Sequence, residues 1–402
     1  MIKALLIIFT FICSLPAGIL QKTIDNAPDG ATIKLPAGIY AEKLVINKPL
    51  TLIGKSNGVH IRGDGSGTVI TINSDNVVLQ NLTISASGNR MENLDAAISL
   101  NHVKNCEISH CRILDTLYGI DMNIVEHSRI LDNYITSRPN DISLKGDAVK
   151  VWYSRHNLIK NNTIEKSRDM TLFFAHDNTI EGNTFLHNRL ALHLEMSNRN
   201  RIINNTFKYN SAGVLLMGGK DTNVSGNLIQ SSKGAAGIAV IADKVMNFHF
   251  ENNILKYNAK ALYIDTKSGE VGKQRFIRNN RILYNAEALH FHAGIKNNVI
   301  IGNTISGNMD DVVKDTRDGY TANNRIAKNY WERYTGFDQN KDNIGDTPHQ
   351  IFLYADQLWH YDHQAKFFYG SPIMSLINFL SQIAPFIEPV LLLEDPEPLI
   401  HP

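Results

Sequence analysis

An apolar residue, an Asn three positions on and a second apolar residue two further recur along most of the chain. The phrase reads Ile130/Asn133/Ile135, Ile159/Asn162/Ile164, Ile180/Asn183/Phe185 and, slipped by one, Ile203/Asn205/Phe207. It continues as Val224/Asn227/Ile229, Phe250/Asn253/Leu255, Ile277/Asn280/Ile282, Ile300/Asn303/Ile305 and Asn324/Ile326. Two earlier versions, Leu79/Leu82/Ile84 and Ile108/Cys111/Ile113, replace the Asn. Successive Asn residues stand 21 (Asn162 to Asn183) to 29 (Asn133 to Asn162) apart. That period is too short for paired-helix repeats, and the intervening segments are β-rich and broken by Gly, Asn and Asp. It predicts an all-β chain, a right-handed parallel β-helix of about ten coils.

The physics of stacking explains the repetition. One coil has two or three short strands and cannot bury its apolar face alone. Stacking at about 4.8 Å aligns equivalent positions into columns, so the Ile positions pack on one another. The Asn positions then form a ladder whose side-chain amides bond backbone groups at the turns. The repeated Asn is therefore a feature of the fold and not of catalysis.

The pattern divides the chain. Residues 19–60 read as a cap over the start of the solenoid, 61–330 as coils and 331–402 as an irregular and helical C-terminal segment that caps and docks. Both ends of such a stack need covers, because open strand edges invite aggregation. Within the last segment, 372–384 predicts a short helix whose Ile373, Leu376, Ile377, Leu380 and Ile383 form one apolar stripe. It serves either as a cap folded onto the solenoid or as a docking element. The stretch 389–399, with three Pro and four Leu, reads as an extended arm suited to the same contact. Asp338, Asn340, Asp342 and Asp346 alternate as in a calcium loop. Asn343 replaces the usual Gly and no Glu closes the loop, so a self-bonded Asx turn competes with calcium.

Composition narrows the class. With 402 residues, 43% hydrophobic, and a formal net charge of +1, the chain can fill a long core and carries no basic stripe for nucleic acid. Residues 1–18 hold Lys3, an apolar run from Ala4 to Leu15, and Pro16-Ala17-Gly18, the pattern of a secretory signal peptide. The run is short for a spanning helix, and Ile12 is bulkier than a lipoprotein leader accepts before its Cys. Export implies a periplasmic location and permits a disulfide between Cys106 and Cys111. Structural thiols are the simpler reading, and a soft-metal pair is the third.

A packed solenoid core leaves function to outward side chains. Aligning the strands that precede each Asn gives an outward set of His193, Glu195, Leu215, Met217, Tyr263, Asp265, His290 and His292, preceded by Lys150, Trp152 and Phe173. His193 and Met217 fall diagonally on adjacent coils, and His290 and His292 share one strand face. Imidazole with thioether favours copper, as Cu(I), over calcium or magnesium. The rival class is a polysaccharide lyase or hydrolase, for which paired carboxylates are required. Its candidates are Asp310-Asp311, Asp121, and Asp147 with Lys150, and they form no lane of three carboxylates in the alignment.

Several phrases go beyond a generic coil: Gly146-Asp147-Ala148-Val149-Lys150-Val151-Trp152-Tyr153-Ser154, Arg168-Asp169, Leu192-His193-Leu194 and Val214-Leu215-Leu216-Met217. So do Asn329-Tyr330-Trp331-Glu332-Arg333-Tyr334, Gly345-Asp346-Thr347-Pro348, Gly370-Ser371-Pro372 and Leu393-Glu394-Asp395-Pro396. With them the chain resembles the NosD family of exported β-helix accessory proteins for nitrous oxide reductase maturation. The resemblance implies an ABC transporter partner, made of a membrane subunit and a cytoplasmic ATPase. It also implies copper received from a periplasmic copper chaperone, delivery to nitrous oxide reductase, and no covalent catalysis. It recasts His193 and Met217 as copper contacts, and the C-terminal helix and arm as docking elements. A departure lies at Glu195 and Met196, where the family has Met followed by an aromatic residue. Glu195 is a harder ligand, and Met196 is expected to point inward. A structural adaptor without metal is the alternative from another class.

Overall fold

A computed structural model describes residues 18–55, 58–233, 237–265, 273–316, 321–353, 368, 371–383 and 390–402. The expected signal peptide falls at positions 1–17 and Gly18, almost wholly outside the described residues. The chain is a parallel β-solenoid of about 12 turns, and it divides into two compact units, Met1–Arg168 and Asp169–Pro402.

In each unit three short strands per coil contribute to three parallel ladders. In the first unit parallel pairing already begins at Ala31–Leu35, which lies against Leu50–Gly54. The expected 19–60 cap is therefore smaller than its sequence suggests. An eight-residue helix, Ile19–Asn26, buries Leu20 and Ile24, and the strands after it are coil. The Leu20 and Gln21 amides donate to the two carboxylate oxygens of Glu42, each at 3.0 Å, which satisfies orphan donors at the helix start. Gln21 also pairs with the backbone of Val45 on the exposed edge strand, donating at 3.0 Å and accepting at 2.8 Å.

Each unit contains an Asn ladder. In the first, the Cys111 amide donates to Asn133 Oδ1 (2.8 Å) and the Asn133 amide to Asn162 Oδ1 (2.9 Å). In the second, Asn183, Asn205, Asn227, Asn253, Asn280, Asn303 and Asn329 repeat the bond at 2.8–3.0 Å. Each Nδ2 also donates to the carbonyl of an inward apolar residue one coil back, as Asn227 does to Ile202. The residue before each ladder Asn has a left-handed backbone: Asp132, Asn161, Gly182, Asn204, Gly226, Asn252, Asn279, Gly302 and Lys328. Gly, Asn and Asp adopt that conformation most cheaply, which explains the abundance of Asn-Asn and Gly-Asn pairs.

Two register readings change. Ile202, fully buried and paired with Ile180, is the inward residue before Asn205, so the repeat does not slip there and Ile203 faces outward. The ladder ends at Asn329, not Asn324. Asn324 belongs to a second ladder, where it accepts from the Asn298 amide. A third ladder joins Asn188 to Asn210, and Ser232, Asn258, Asn285 and Asn308 in turn.

The C-terminal segment closes the second unit. Val390–Asp395 forms an antiparallel pair with His349–Leu353, burying Leu392 and Leu393. Asp395, 0% exposed, takes the place of the next ladder Asn: its Oδ2 accepts from the Asn329 amide (3.1 Å), Asn329 Nδ2 (2.9 Å) and Trp331 Nε1 (3.0 Å). Beyond it Glu397, Pro398 and Leu399 bond the backbone of Lys328, Gly345 and Asn329. The tail is thus built into the cap, and the extended arm expected at 389–399 is not free to dock. The acidic loop is self-bonded: Asp338 accepts from the amides of Lys341, Asp342 and Asn343, and Asp342 accepts from Ile344. The Asx reading holds there, because the carboxylates proposed for calcium face their own backbone donors.

Replacing Asn227 with Ala leaves the Asn205 amide and the Ile202 carbonyl without the side chain that bonds them, while Asn205 Nδ2 keeps its bond to the Ile180 carbonyl. At about 1 kcal/mol or more for each buried group left unsatisfied, the loss is about 2 kcal/mol, read as a shifted urea midpoint at unchanged slope.

Candidate metal centre

In the second unit, the sheet that runs through Asp169–Phe173, Leu190–Glu195 and Ala212–Met217 carries most of the side chains singled out above on its outward face. Leu190–Glu195 pairs with Ala212–Met217 so that His193 stands opposite Leu215 and Glu195 opposite Met217. Alternation makes Leu192, Leu194, Val214 and Leu216 inward and buried, which pushes His193 and Met217 outward onto one diagonal. Next comes Ile238–Asp243, a strand the sequence alignment passed over, with Ile241 and Asp243 in register, followed by Tyr263 and Asp265 and then His290 and His292. The missed strand carries the small inward residue Ala242 and no His, so it lacked the signature used for the alignment.

His193 packs edge-on against Phe173, ring centroids 5.4 Å apart. Its Nε2 is buried and has no hydrogen-bond partner among the described residues, and Glu195 Oε2 stands 3.9 Å away. Burial lowers its pKa below the ordinary 6.5, outweighing the opposing pull of Asp169 and Glu195. The ring is neutral at pH 7, the form that ligates a metal. Met196 does not point inward as expected. It sits at the corner in a left-handed conformation (φ 48°), 51% exposed, and its amide donates to the Met217 carbonyl at 2.8 Å.

His290 and His292 belong elsewhere. The strand of His290 is four coils from that of His193, roughly 19 Å at 4.8 Å per coil. His290 is 1% exposed and both ring nitrogens are engaged, Nδ1 with Glu287 and Nε2 with Asp315 at 3.0 Å. His292 Nδ1 contacts the same Asp315 carboxylate at 2.9 Å, and Lys260 Nζ approaches His290 Nδ1 at 3.1 Å. Burial works against a charged His290, but its bonds to Asp315 and Glu287 prevail and raise its pKa. Burial likewise opposes ionised Asp315, and the two histidines overcome it, holding its pKa down to about 2. The pair expected as open imidazoles is an ion-bonded network inside the wall. Sequence spacing placed both rings on one face correctly but could not show Asp315 reaching across from the next coil.

The other candidates stay apart. Asp121 and Lys150, in the first unit, face each other at 3.8 Å, with Lys150 Nζ 4.5 Å over the Trp152 ring. Asp311 is buried, and burial raises its pKa to about 6. Cys106 and Cys111 are separate buried thiols, their pKa values pushed by burial to about 11 and about 12. Cys111 Sγ donates to the Ser109 carbonyl at 3.3 Å, so the structural-thiol reading accounts for it. Helix Pro372–Ile383 presents Ile373 (62% exposed), Leu376, Ile377, Phe379 and Leu380 outward, so it is not a cap folded onto the solenoid; the Ile383 side chain lies outside the described set. Among the described residues no helix is long and apolar enough to cross a membrane, and no three His, Cys, Asp or Glu side chains are grouped to hold a metal ion.

The Asp315 network sets a pH window. Its carboxylate stabilises the fold above the usual Asp range near 4 and loses that contribution as pH falls toward 2. His290 contributes fully below about 6.5 and loses it as pH rises through its raised pKa. Asp315→Asn is therefore expected to cost about 2–3 kcal/mol at pH 5.5, and less as the pH is raised through the pKa of His290, measured by urea unfolding of both proteins across that range.

Residues 131–336 match the family model described as NosD, periplasmic copper-binding protein. The chain is 26% identical to a probable ABC transporter binding protein NosD from Pseudomonas aeruginosa, over 88% of this chain and 84% of that one. It is 25% identical to the Stutzerimonas stutzeri protein of the same description, over 91% and 86%. Among solved structures, the fold is similar to the A-module of the Azotobacter vinelandii mannuronan C-5 epimerase AlgE6, with TM-score 0.54, 14% identity, and coverage of 78% of this chain and 97% of that one. A mannuronic acid-specific family 6 polysaccharide lyase from human gut microbiota gives TM-score 0.57 at 13% identity, over 80% and 86%. At that identity the likeness extends to the β-solenoid alone.

Proposed function

The chain belongs to the NosD family of periplasmic copper-binding proteins, and from that premise we propose that it carries Cu(I) as cargo beside an ABC transporter. The observation that carries the reading is His193, a neutral imidazole whose buried Nε2 has no hydrogen-bond partner among the described residues, on the diagonal from Met217. A buried polar atom without a partner costs free energy, and a soft cation would recover it. Imidazole and thioether together select Cu(I) over hard cations.

The relatives' description as ABC transporter binding proteins supports a transporter partner. For this chain the proposed contact is helix Pro372–Ile383, whose apolar side chains are exposed on a segment between the two capping strands. It would meet the transporter's membrane subunit, with the cytoplasmic ATPase driving that subunit from the other side. A copper chaperone would donate the ion, and nitrous oxide reductase would receive it. The site suits a carrier because few ligands on an outward strand bind tightly enough to accept an ion and loosely enough to release it.

Anaerobic Cu(I) titration against a chromophoric chelator tests the site. One equivalent is expected for the wild type and none at the same competitor concentration for His193→Ala/Met217→Ala. Equal binding by both proteins would move the site elsewhere, and no binding by the wild type would favour the metal-free adaptor. Docking has its own readout: Leu376→Glu/Leu380→Glu should abolish co-purification with the transporter while leaving Cu(I) stoichiometry intact.

A further inference from the structure

The corner that follows the His193 strand contains a thioether that strand alternation alone would not place at the surface. Corner positions in this part of the wall are left-handed: Phe174 (φ 49°), Met196 (φ 48°), Gly218 (φ 67°) and Lys244 (φ 54°) occupy them on successive coils. Gly or Asn fills such a position at least cost, and a larger side chain pays about 1–2 kcal/mol. Met196 bears that cost and is half exposed, so burial of its side chain does not explain its presence. Its direction is fixed by the next coil. A Cβ built on Gly218 would lie 2.7 Å from Met196 Sδ, so the thioether occupies space that only glycine leaves open there. Gly218 directly follows Met217, and the Met196 amide bonds the Met217 carbonyl. Met196 and Met217 therefore stand at one corner, Met196 three residues along the chain from His193 and its orphaned Nε2.

We propose that Met196 is a third ligand of the cargo ion, giving a two-sulfur, one-nitrogen site, and that Gly218 is the seat that holds its sulfur there. The inference rests on the copper reading of His193 and Met217 and extends it. Two thioethers and a neutral imidazole form an uncharged, soft, three-coordinate set, suited to Cu(I) and poorly suited to Zn(II) or Cu(II). Glu195, in register with Met217 and with its carboxylate 3.9 Å from His193 Nε2, lies beside this set as a hard neighbour outside it.

The test combines anaerobic Cu(I) competition with copper-edge X-ray absorption on the wild type, Met196→Leu and Gly218→Ala. The wild type is expected to bind one Cu(I) with two sulfur scatterers. Met196→Leu should weaken binding by about 10- to 100-fold, the range typical when a metal's ligand environment is disturbed, and reduce the count to one sulfur. Gly218→Ala should do the same by displacing the thioether, and Met196→Leu should melt with the wild type because the side chain is exposed. Unchanged affinity and one sulfur in both wild type and Met196→Leu would overturn the role of Met196 while leaving copper at His193 and Met217. No Cu(I) binding by the wild type would overturn both readings.

Discussion

A parallel solenoid turns a sharp corner several times per coil, and each corner buries backbone groups that no strand partner can reach. Supplying those groups with hydrogen bonds is the constraint on which the structure depends. The ladder Asn meets it with one side chain: Oδ1 takes the amide of the preceding coil and Nδ2 returns a bond to a carbonyl one coil back. A buried amide without a partner costs more than a good one gains, so the position tolerates few substitutes. Cys111, with a weak donor and acceptor, begins the run. Once the corners are fixed, the apolar columns have no freedom of register. The stacked rings of Phe185 and Phe207, 4.7 Å apart and nearly parallel, follow from it.

The same constraint makes the outside of the wall chemically useful. Because the interior fixes every coil height, outward side chains from distant parts of the sequence are held at set spacings on a rigid face. His193 and Met217 are 24 positions apart in the chain yet occupy one diagonal. His290, His292 and Asp315 meet by the same rule and give a different result, since carboxylates there saturate the imidazoles. One lattice thus yields an open imidazole at one height and an ion-bonded one four coils away. The difference lies in the neighbours, not in the histidines.

Much of this was legible in the sequence because the ladder residue is both invariant in chemistry and periodic. The columns at Asn133, Asn162 and Asn183 and the inward Ile positions could be read directly. Errors came where two periodicities overlap. Asn recurs at five-residue spacing within a coil, as in Asn178-Asn183-Asn188, so Asn324 and Asn329 compete for one place, and only pairing with Asn303 decides it. That five-residue spacing was also the available signal for the second and third ladders. Met196 was misplaced because strand alternation was carried one residue past the strand's end, into a corner where the backbone turns left-handed. The short helix at Ile19 and the closing strand at Val390 break the period altogether, and periodicity carries no information about them.

The ladder also has polarity. Every backbone amide in it points toward the next coil, so the row behaves as a line of aligned dipoles whose C-terminal end presents donors. Asp395 meets that end with an oxygen that accepts both donors of Asn329 and the Trp331 indole N–H, as an anion meets a helix N-terminus. A carboxylate has no amide of its own to pass forward, so the row stops. The stack is in effect a one-dimensional crystal, and Asp395 is the impurity that poisons its growing face. It occupies the donors that a further coil, or a strand of another molecule, would need at that face of the second unit.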